Sequence, residues 1–310
     1  MVKFFVTGGA GFVGSNLVDR LINEGNLVTV YDNLVPGSEE LIKHNFDNPS
    51  FKLVKADVAD LNSLKKALKG HDFVFHLAAN PDVAKGAVQT DLDLRQGVML
   101  TYNVLEAMRT SGVRKIAYAS SSTVYGEKAG ACVSEDFGPL LPVSLYGAAK
   151  LASEGLISAF SHMFDIRAWI FRPANIIGRN STHGVIFDFI KKLRKNPREL
   201  EILGDGTQRK SYIHVKDAID AMLFAIRKSN DRLNLFNIGS EDFIDVKSIA
   251  DIIVSQMGLN AKYKFTGGNI GWKGDVPKMI LDVTKIKKLG WMAKLTSKEA
   301  VEKTVSELLL

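Results

Sequence analysis

Tyr146 and Lys150 stand four residues apart in Tyr146-Gly-Ala-Ala-Lys150, which sets a phenol and an ammonium on one face of a helix. A tyrosine with an ordinary pKa of about 10 is a poor base near neutrality, and an adjacent cation favours its phenolate. Standing alone, such a pair reads as an ordinary solvated helix face, so its neighbours decide. Upstream, the apolar run Lys115 to Ala119 ends at Ser120-Ser121-Ser122-Thr123-Val124-Tyr125-Gly126, which gathers hydroxyls at the end of a strand. One of them is placed to bridge a substrate oxygen to Tyr146. Serines at strand ends commonly cap a helix or form a turn, and Ser120 and Ser122 are read that way.

A second constellation opens the chain. The strand from Val2 to Val6 runs into Thr7-Gly8-Gly9-Ala10-Gly11-Phe12-Val13-Gly14 and then into a helical pattern with Leu17, Val18, Leu21 and Ile22 on one face. Gly8 and Gly11 permit a tight turn and close approach of backbone to a pyrophosphate. Gly14 lets the following helix pack on the strand with its N-terminus aimed at the phosphates. A second strand, Leu27 to Tyr31, ends at Asp32, 18 residues after Gly14. That is where a dinucleotide-binding unit carries the carboxylate for the adenosine ribose diol. A glycine triplet alone is weak evidence, but strand, triplet, helix, strand and acid follow in the required order.

The elements that position these residues alternate. Strand-like runs recur at Phe51 to Val54, Phe73 to Leu77, Lys115 to Ala119 and Ile166 to Phe171. Between them lie helical stripes, among them Leu61, Leu64, Ala67 and Leu68 before Gly70, and Leu100, Val104, Leu105 and Met108 before Gly112. The pattern predicts an α/β fold with a doubly wound parallel (Rossmann) sheet, whose ligands bind beyond the carboxyl ends of the strands. After Arg172-Pro173 the pattern loosens, with helices near 185 to 195, 215 to 228 and 246 to 257 and a buried strand at Leu235 to Ile238. The expected division is a dinucleotide-binding domain over 1–173, to which the chain returns around 210–240, and a smaller α/β substrate lobe over 174–310.

At 310 residues with 46% apolar content the chain can bury a large core. No apolar run reaches the roughly 18 residues of a membrane span, and the first strand starts without a basic leader, so a cytoplasmic protein is expected. The single cysteine, Cys132, excludes an internal disulfide and a cysteine zinc cluster, and no metal site is expected. Net charge is +6, yet the Lys and Arg residues are interspersed with acids, which argues for solvated surface rather than a nucleic-acid interface. The densest cluster, Lys191-Lys192-Leu193-Arg194-Lys195, reads as the outer face of a helix that buries Phe187, Ile190 and Leu193.

Several motifs in fixed order, from residue 2 to about 291, resemble the extended short-chain dehydrogenase/reductase family. They are Thr7 to Gly14, Asp32-Asn33, Asp57-Val58, His76-Leu77-Ala78-Ala79, Ser120 to Ser122 with Val124-Tyr125-Gly126, Tyr146-x-x-x-Lys150, Phe171-Arg172-Pro173, and Gly204-Asp205-Gly206-Thr207 with Tyr212-Ile213-His214-Val215. The sugar-nucleotide 4-epimerase branch is the most similar. The resemblance implies Tyr146 as base, Lys150 as its partner and Ser121 at the catalytic Ser/Thr position. For NAD it implies Gly8, Gly11, Phe12, Val13 and Gly14 at the pyrophosphate, Asp32 and Asn33 at the ribose, Asp57 and Val58 at the adenine, and Leu77, Ala78 and Ala79 along the cofactor, with Tyr146 and Lys150. On the substrate side it implies Ser121 with its neighbour Ser122, and Asn175 near the nucleotide diphosphate. His76 keeps a core reading.

Two positions depart from the family pattern. Gly97 stands where an Asn is usual, ahead of Thr101-Tyr-Asn-Val-Leu-Glu-Ala107, and Asn269-Ile-Gly-Trp-Lys-Gly-Asp275 lacks the usual diphosphate arginine. Lys273, Arg209 and Lys210 are the substitutes on offer, although lysine does not reproduce arginine's bidentate grip. The implied activity is NAD-dependent inversion at C4 of a UDP-sugar through a 4-keto intermediate, in a homodimer paired through helices near 97–110 and 147–163. A 4,6-dehydratase needs an acid pair where this chain has Ser122-Thr123. UDP-uronate epimerisation or decarboxylation turns on residues of the substrate lobe. An NAD-sensing regulator is disfavoured by the intact Ser121, Tyr146 and Lys150.

No Arg or Lys lies between Asp32 and Lys43 to neutralise a 2'-phosphate, so the protein should bind NAD more tightly than NADP. Isothermal calorimetry checks this, and equal or tighter binding of NADP would contradict it.

Overall fold

The structure, a computed structural model, describes residues 1–34, 39–80, 83–86, 88–127, 132–268 and 278–310. By contact the chain forms two compact units. The first comprises Met1–Val124, Leu145–Arg172 and Ile226–Phe236, and the second Tyr125–Ser144, Pro173–Ala225 and Asn237–Leu310. The segment 125–144, which the sequence reading assigns to the first domain, groups with the second unit. Gly126 bridges Leu141, and the Val133 N–H donates to the Ile280 carbonyl, which ties this loop to the later part of the chain.

A seven-stranded sheet organises the first unit. Strands β1 (Lys3–Thr7), β2 (Leu27–Asp32), β3 (Phe51–Lys55), β4 (Phe73–His76), β5 (Lys115–Ala119) and β6 (Arg167–Pro173) pair in the order β6-β5-β4-β1-β2-β3. All five of these pairings are parallel. The strand Leu233–Ile238 extends the sheet beyond β6. The order turns around between β1 and β4, which is where a doubly wound sheet opens its ligand crevice.

The helices are α1 (Phe12–Asn23), α2 (Leu61–Leu68), the short α3 (Val83–Gly86), α4 (Leu100–Ser111) and α5 (Leu145–Phe164). Leu17, Val18 and Leu21 of α1 are fully buried, as the periodicity requires. Leu64, Leu68, Val104, Leu105, Met108 and Ile157 of α2, α4 and α5 join Phe5, Val74, Ile116 and Ile170 of the strands in one apolar cluster. Asp60 caps α2 by accepting from the Asn62 and Ser63 N–H groups, and Gly112 closes α4 at φ +79°. A six-residue π-helical turn, Leu94–Met99, feeds α4. There Gly97 faces α5 so closely that a Cβ would stand 3.2 Å from the Ala149 Cβ. The departure from Asn at 97 thus accompanies close packing of this turn on the helix that carries Tyr146 and Lys150.

In the second unit, helices Val185–Lys195, Val246–Gln256 and Ser297–Leu309 share a core with the parallel strands Glu199–Ile202 and Lys262–Phe265. Ile186, Phe189, Ile190 and Leu193 are the buried residues of the first of these helices. Phe187 is only half-buried, because the apolar stripe turns toward 186 and 189 and not toward 187. Among the described residues no helix is long and apolar enough to cross a membrane.

A Cβ on Gly14 would run into the Gly8 carbonyl and lie 2.8 Å from the Gly9 Cα, whereas one on the exposed helical Gly155 would meet nothing within 4 Å. Gly14→Ala should therefore destabilise the protein by about 1–3 kcal/mol through overpacking. Gly155→Ala should stabilise it by about 0.5–1 kcal/mol by removing backbone freedom. Denaturant unfolding of the two variants measures the contrast in sign.

Candidate functional site

The turn between β1 and α1 is built by close approach. Gly8 has φ +71°, and a Cβ there would lie 2.6 Å from the Ala78 amide nitrogen, so only glycine lets the β1 and β4 ends come together. The Gly11 N–H donates to the Gly8 carbonyl at 3.1 Å, and the Ser15 N–H to the Gly11 carbonyl at 2.8 Å. No side chain caps α1, and its first turn holds no acid. Its leading N–H groups therefore present positive potential from a turn whose Gly11, Phe12 and Val13 are only half-buried.

At the end of β2 the two carboxylate oxygens of Asp32 accept from the Ala10 N–H at 3.0 Å and the Leu34 N–H at 2.8 Å. Burial raises the Asp32 pKa, and these two bonds oppose the rise. Asn33 donates to Asp57 Oδ2 at 3.1 Å, and the Asp57 carboxylate also accepts from the Ala59 N–H at 2.8 Å. The Ala78 N–H lies 3.4 Å from Thr7 Oγ1, while Leu77 N–H donates to the Thr7 carbonyl at 3.1 Å. A bare glycine turn at a helix N-terminus, followed by an anchored strand-end carboxylate, fits a dinucleotide whose pyrophosphate and ribose diol these groups would hold.

The hydroxyl, phenol and ammonium singled out from sequence meet in this same unit. The Ser121 side chain favours the Tyr146 phenolate, and Lys150 Nζ lies 5.5 Å from the centre of the Tyr146 ring. The ammonium donates to the Ala119 carbonyl at 2.6 Å, at the end of β5, and sits 4.8 Å over the Tyr118 ring. Ser121 also receives the Thr123 N–H and hydroxyl at 3.2 and 3.0 Å, which fixes its oxygen at the head of the turn Ser122–Tyr125.

Electrostatics in this cluster differ from the simple expectation that Lys150 pulls Tyr146 below its ordinary pKa. In the protein by itself burial pushes the Tyr146 phenol up to about 12, the Asp93 carboxylate adds to the rise, and the Ser121 hydrogen bond opposes it. Burial likewise pushes Lys150 down to about 8, while Glu154 and Asp93 act to keep it charged. Desolvation is the largest cause at both groups.

Ser120 is not a capping residue. Its hydroxyl donates to Glu154 Oε1 at 2.5 Å inside the unit, and Arg172 grips the same carboxylate at 3.0 and 2.6 Å. Glu154 follows Lys150 by four residues, so one further step along the Tyr146–Lys150 spacing would have exposed it in the sequence. Asp93 had no such signal. His76 is a satisfied core residue, 2.8 Å from Thr7 Oγ1 and 3.1 Å from Thr101 Oγ1. Burial first, and Lys150 second, push its pKa down to about 3, so it remains neutral.

Of the candidate substrate residues, Asn175, Arg209 and Lys210 fall in the second unit. Asn175 pairs with Tyr212 in a short parallel ladder, and its side chain donates to the Ser211 carbonyl at 3.1 Å. Arg209 and Lys210 form the next strand, with the Arg209 guanidinium 5.2 Å over the Phe243 ring. Lys273 lies outside the described residues.

Comparison with known proteins gives consistent findings. A model of the NAD dependent epimerase/dehydratase family matches residues 4–239. The chain is 33% identical over 307 residues to a putative UDP-glucose 4-epimerase of Methanocaldococcus jannaschii, covering 97% of this chain and 96% of that one. It superposes on a crystal structure of a UDP-galactose 4-epimerase with a TM-score of 0.89 and 41% identity, over 99% and 98% of the two chains. A UDP-glucuronic acid 4-epimerase from Bacillus cereus, solved with UDP-glucuronic acid and NAD, gives a TM-score of 0.90 at 27% identity over 99% of each.

Tyr146→Phe removes one oxygen from a half-buried ring and leaves packing intact. Turnover should fall by on the order of 10²- to 10⁴-fold, with circular dichroism and NAD affinity close to those of the parent. A folded Tyr146→Phe protein with near-parental turnover would refute the assignment of the base.

Proposed function

The chain belongs to the NAD dependent epimerase/dehydratase family, whose members act on sugar nucleotides with NAD, and we propose that it inverts C4 of a UDP-hexose of the UDP-glucose/UDP-galactose type. The observation that carries this reading is the group of half-buried Ser121 and Tyr146 with buried Lys150 at the carboxyl end of β5, in the unit that holds the glycine turn and Asp32. NAD, when bound, would supply the oxidant for C4, taking a hydride and returning it.

Tyr146 takes the C4 hydroxyl proton as that carbon is oxidised, and Ser121 shares the same substrate oxygen. Lys150, fixed by the Ala119 carbonyl and charged below a pH of about 8, stabilises the phenolate. Because Tyr146 alone stays protonated up to about pH 12, it becomes a base only beside a further positive charge, and the oxidised nicotinamide is positively charged. The 4-keto sugar then presents its other face, and the same phenol returns the proton. Asn175, Arg209, Lys210 and Lys273 are assigned to the diphosphate half of the substrate. Two copies pairing through α4 and α5 would cover the exposed Met99, Tyr102 and Met163.

Elimination of water across C5 and C6 would need an acid pair beside Ser121. The neighbours here are Ser122 and Thr123, whose hydroxyls do no acid/base work near neutrality. The similarity to a UDP-glucuronic acid 4-epimerase supports one second reading, the same C4 chemistry on a uronate.

Purified protein incubated separately with UDP-glucose, UDP-galactose, UDP-glucuronic acid and dTDP-glucose should interconvert the first two without added reductant. A 4-keto-6-deoxy product, carbon dioxide from the uronate, or stoichiometric free NADH would contradict the proposal. Inversion of the uronate alone would select the second reading.

A further inference from the structure

Among the buried ionisable groups of the first unit that the mechanism leaves unused is Asp93. It stands immediately before the π-helical turn Leu94–Met99, at 2% exposure. Its Oδ1 accepts from the Asn80 amide at 2.9 Å, while Oδ2 has no hydrogen-bond partner among the described residues. A buried carboxylate oxygen left unpaired is costly, and natural structures keep few of them. The space around it is also kept open. A Cβ on Gly86 would run into Asp93 Oδ2 and stand 3.8 Å from the Cβ of Leu145, the residue before Tyr146. Glycine at 86 thus lets this carboxylate lie against the N-terminal end of α5.

The charged and titratable groups around Tyr146 are few. From its own helix come Lys150 and, a turn further on, Glu154, which Arg172 and Ser120 already engage. From β5 and its end come Tyr118, whose buried phenol is pushed above its ordinary pKa, and Ser121. From β4 comes neutral His76, 5.5 Å from the Tyr118 ring. Asp93 is the one carboxylate in this set without a cationic partner of its own among the described residues, and it acts on both members of the pair. It opposes the Tyr146 phenolate and supports the Lys150 ammonium.

We propose that Asp93 is a positioning residue whose buried charge decides when Tyr146 acts as a base. Its charge and that of Lys150 balance, so the phenolate would leave the cluster one negative charge in excess. A cation beside the phenol removes that excess, and the oxidised nicotinamide is such a cation while the reduced ring is not. Asp93 therefore keeps the proton on Tyr146 in the cofactor-free protein and while the cofactor is reduced, and its opposition persists but is outweighed when the oxidised cofactor is seated. The inference rests on the reading of Tyr146 as base.

Two readouts on the NAD-bound protein test it. The Tyr146 titration is isolated as the difference in tyrosinate absorbance between the protein and its Tyr146→Phe variant, which needs no turnover, and the pH profile of kcat/KM is recorded alongside. Asp93→Asn keeps the shape and removes the charge, so the Tyr146 titration and both limbs of the profile should move to lower pH by about one unit. Asp93→Glu should restore the parental positions. An unmoved titration in folded, NAD-binding Asp93→Asn, or a profile lowered in height without displacement, would overturn the proposal. If Asp93→Asn does not fold, Asp93→Ser is read in the same way, and failure of both to fold makes the residue structural and overturns it. An active Tyr146→Phe protein would instead sink the reading of the base, which separates the two failures.

Discussion

An ammonium inside a folded protein costs several kcal/mol unless its surroundings restore what water provided, and the Lys150 side chain is almost wholly enclosed. Its compensation comes from the Ala119 carbonyl, the face of Tyr118, and the carboxylates of Glu154 and Asp93. Each of these brings its own demand. Glu154, itself buried, requires the two-pronged grip of Arg172 and the hydroxyl of Ser120. Those contacts pin the ends of β5 and β6 to the middle of α5. Ser121, next in the chain, is thereby fixed at the end of β5, where Thr123 also holds its oxygen. The arrangement of hydroxyl, phenol and ammonium is the outcome of satisfying one buried positive charge.

The cofactor side of the unit follows a different constraint, that of backbone approach. Gly8 and Gly14 leave no room for a methyl group between β1, β4 and α1, so the uncapped helix start and the Asp32 carboxylate stand at fixed places along the carboxyl edge of the sheet. Electrostatics then couple the two sides. Burial holds the phenol protonated and weakens the hold of Lys150 on its proton. In the proposed function a positive cofactor ring would favour the phenolate and a neutral one would not, which would link proton transfer and oxidation by charge.

Much of this was legible in the chain because it depends on local spacing. The glycine turn, Asp32 at the end of β2, the helix that ends at Gly112 and the four-residue step from Tyr146 to Lys150 are all set by neighbours within a few residues. What escaped notice is long-range. Ser120 meets Glu154 across 34 residues, and its hydroxyl in sequence looks like any strand-end cap. Asp93 has no motif of its own, and its significance comes from an oxygen that finds no partner. Gly97 reads in sequence as a lost asparagine, whereas in space it admits Ala149. The sign of the Tyr146 shift was also beyond spacing, since it depends on how far both charges are withdrawn from water.

The central claim is that one half-buried phenol and one retained hydride invert a single carbon. The most direct measurement follows a deuterium label placed at C4 of UDP-galactose through conversion in ordinary water, read by mass spectrometry and nuclear magnetic resonance. The account predicts that the label remains at C4 of the UDP-glucose formed, and that unlabelled substrate in heavy water gains none there. Loss of the C4 label to solvent, or uptake of solvent deuterium at that carbon, would contradict it.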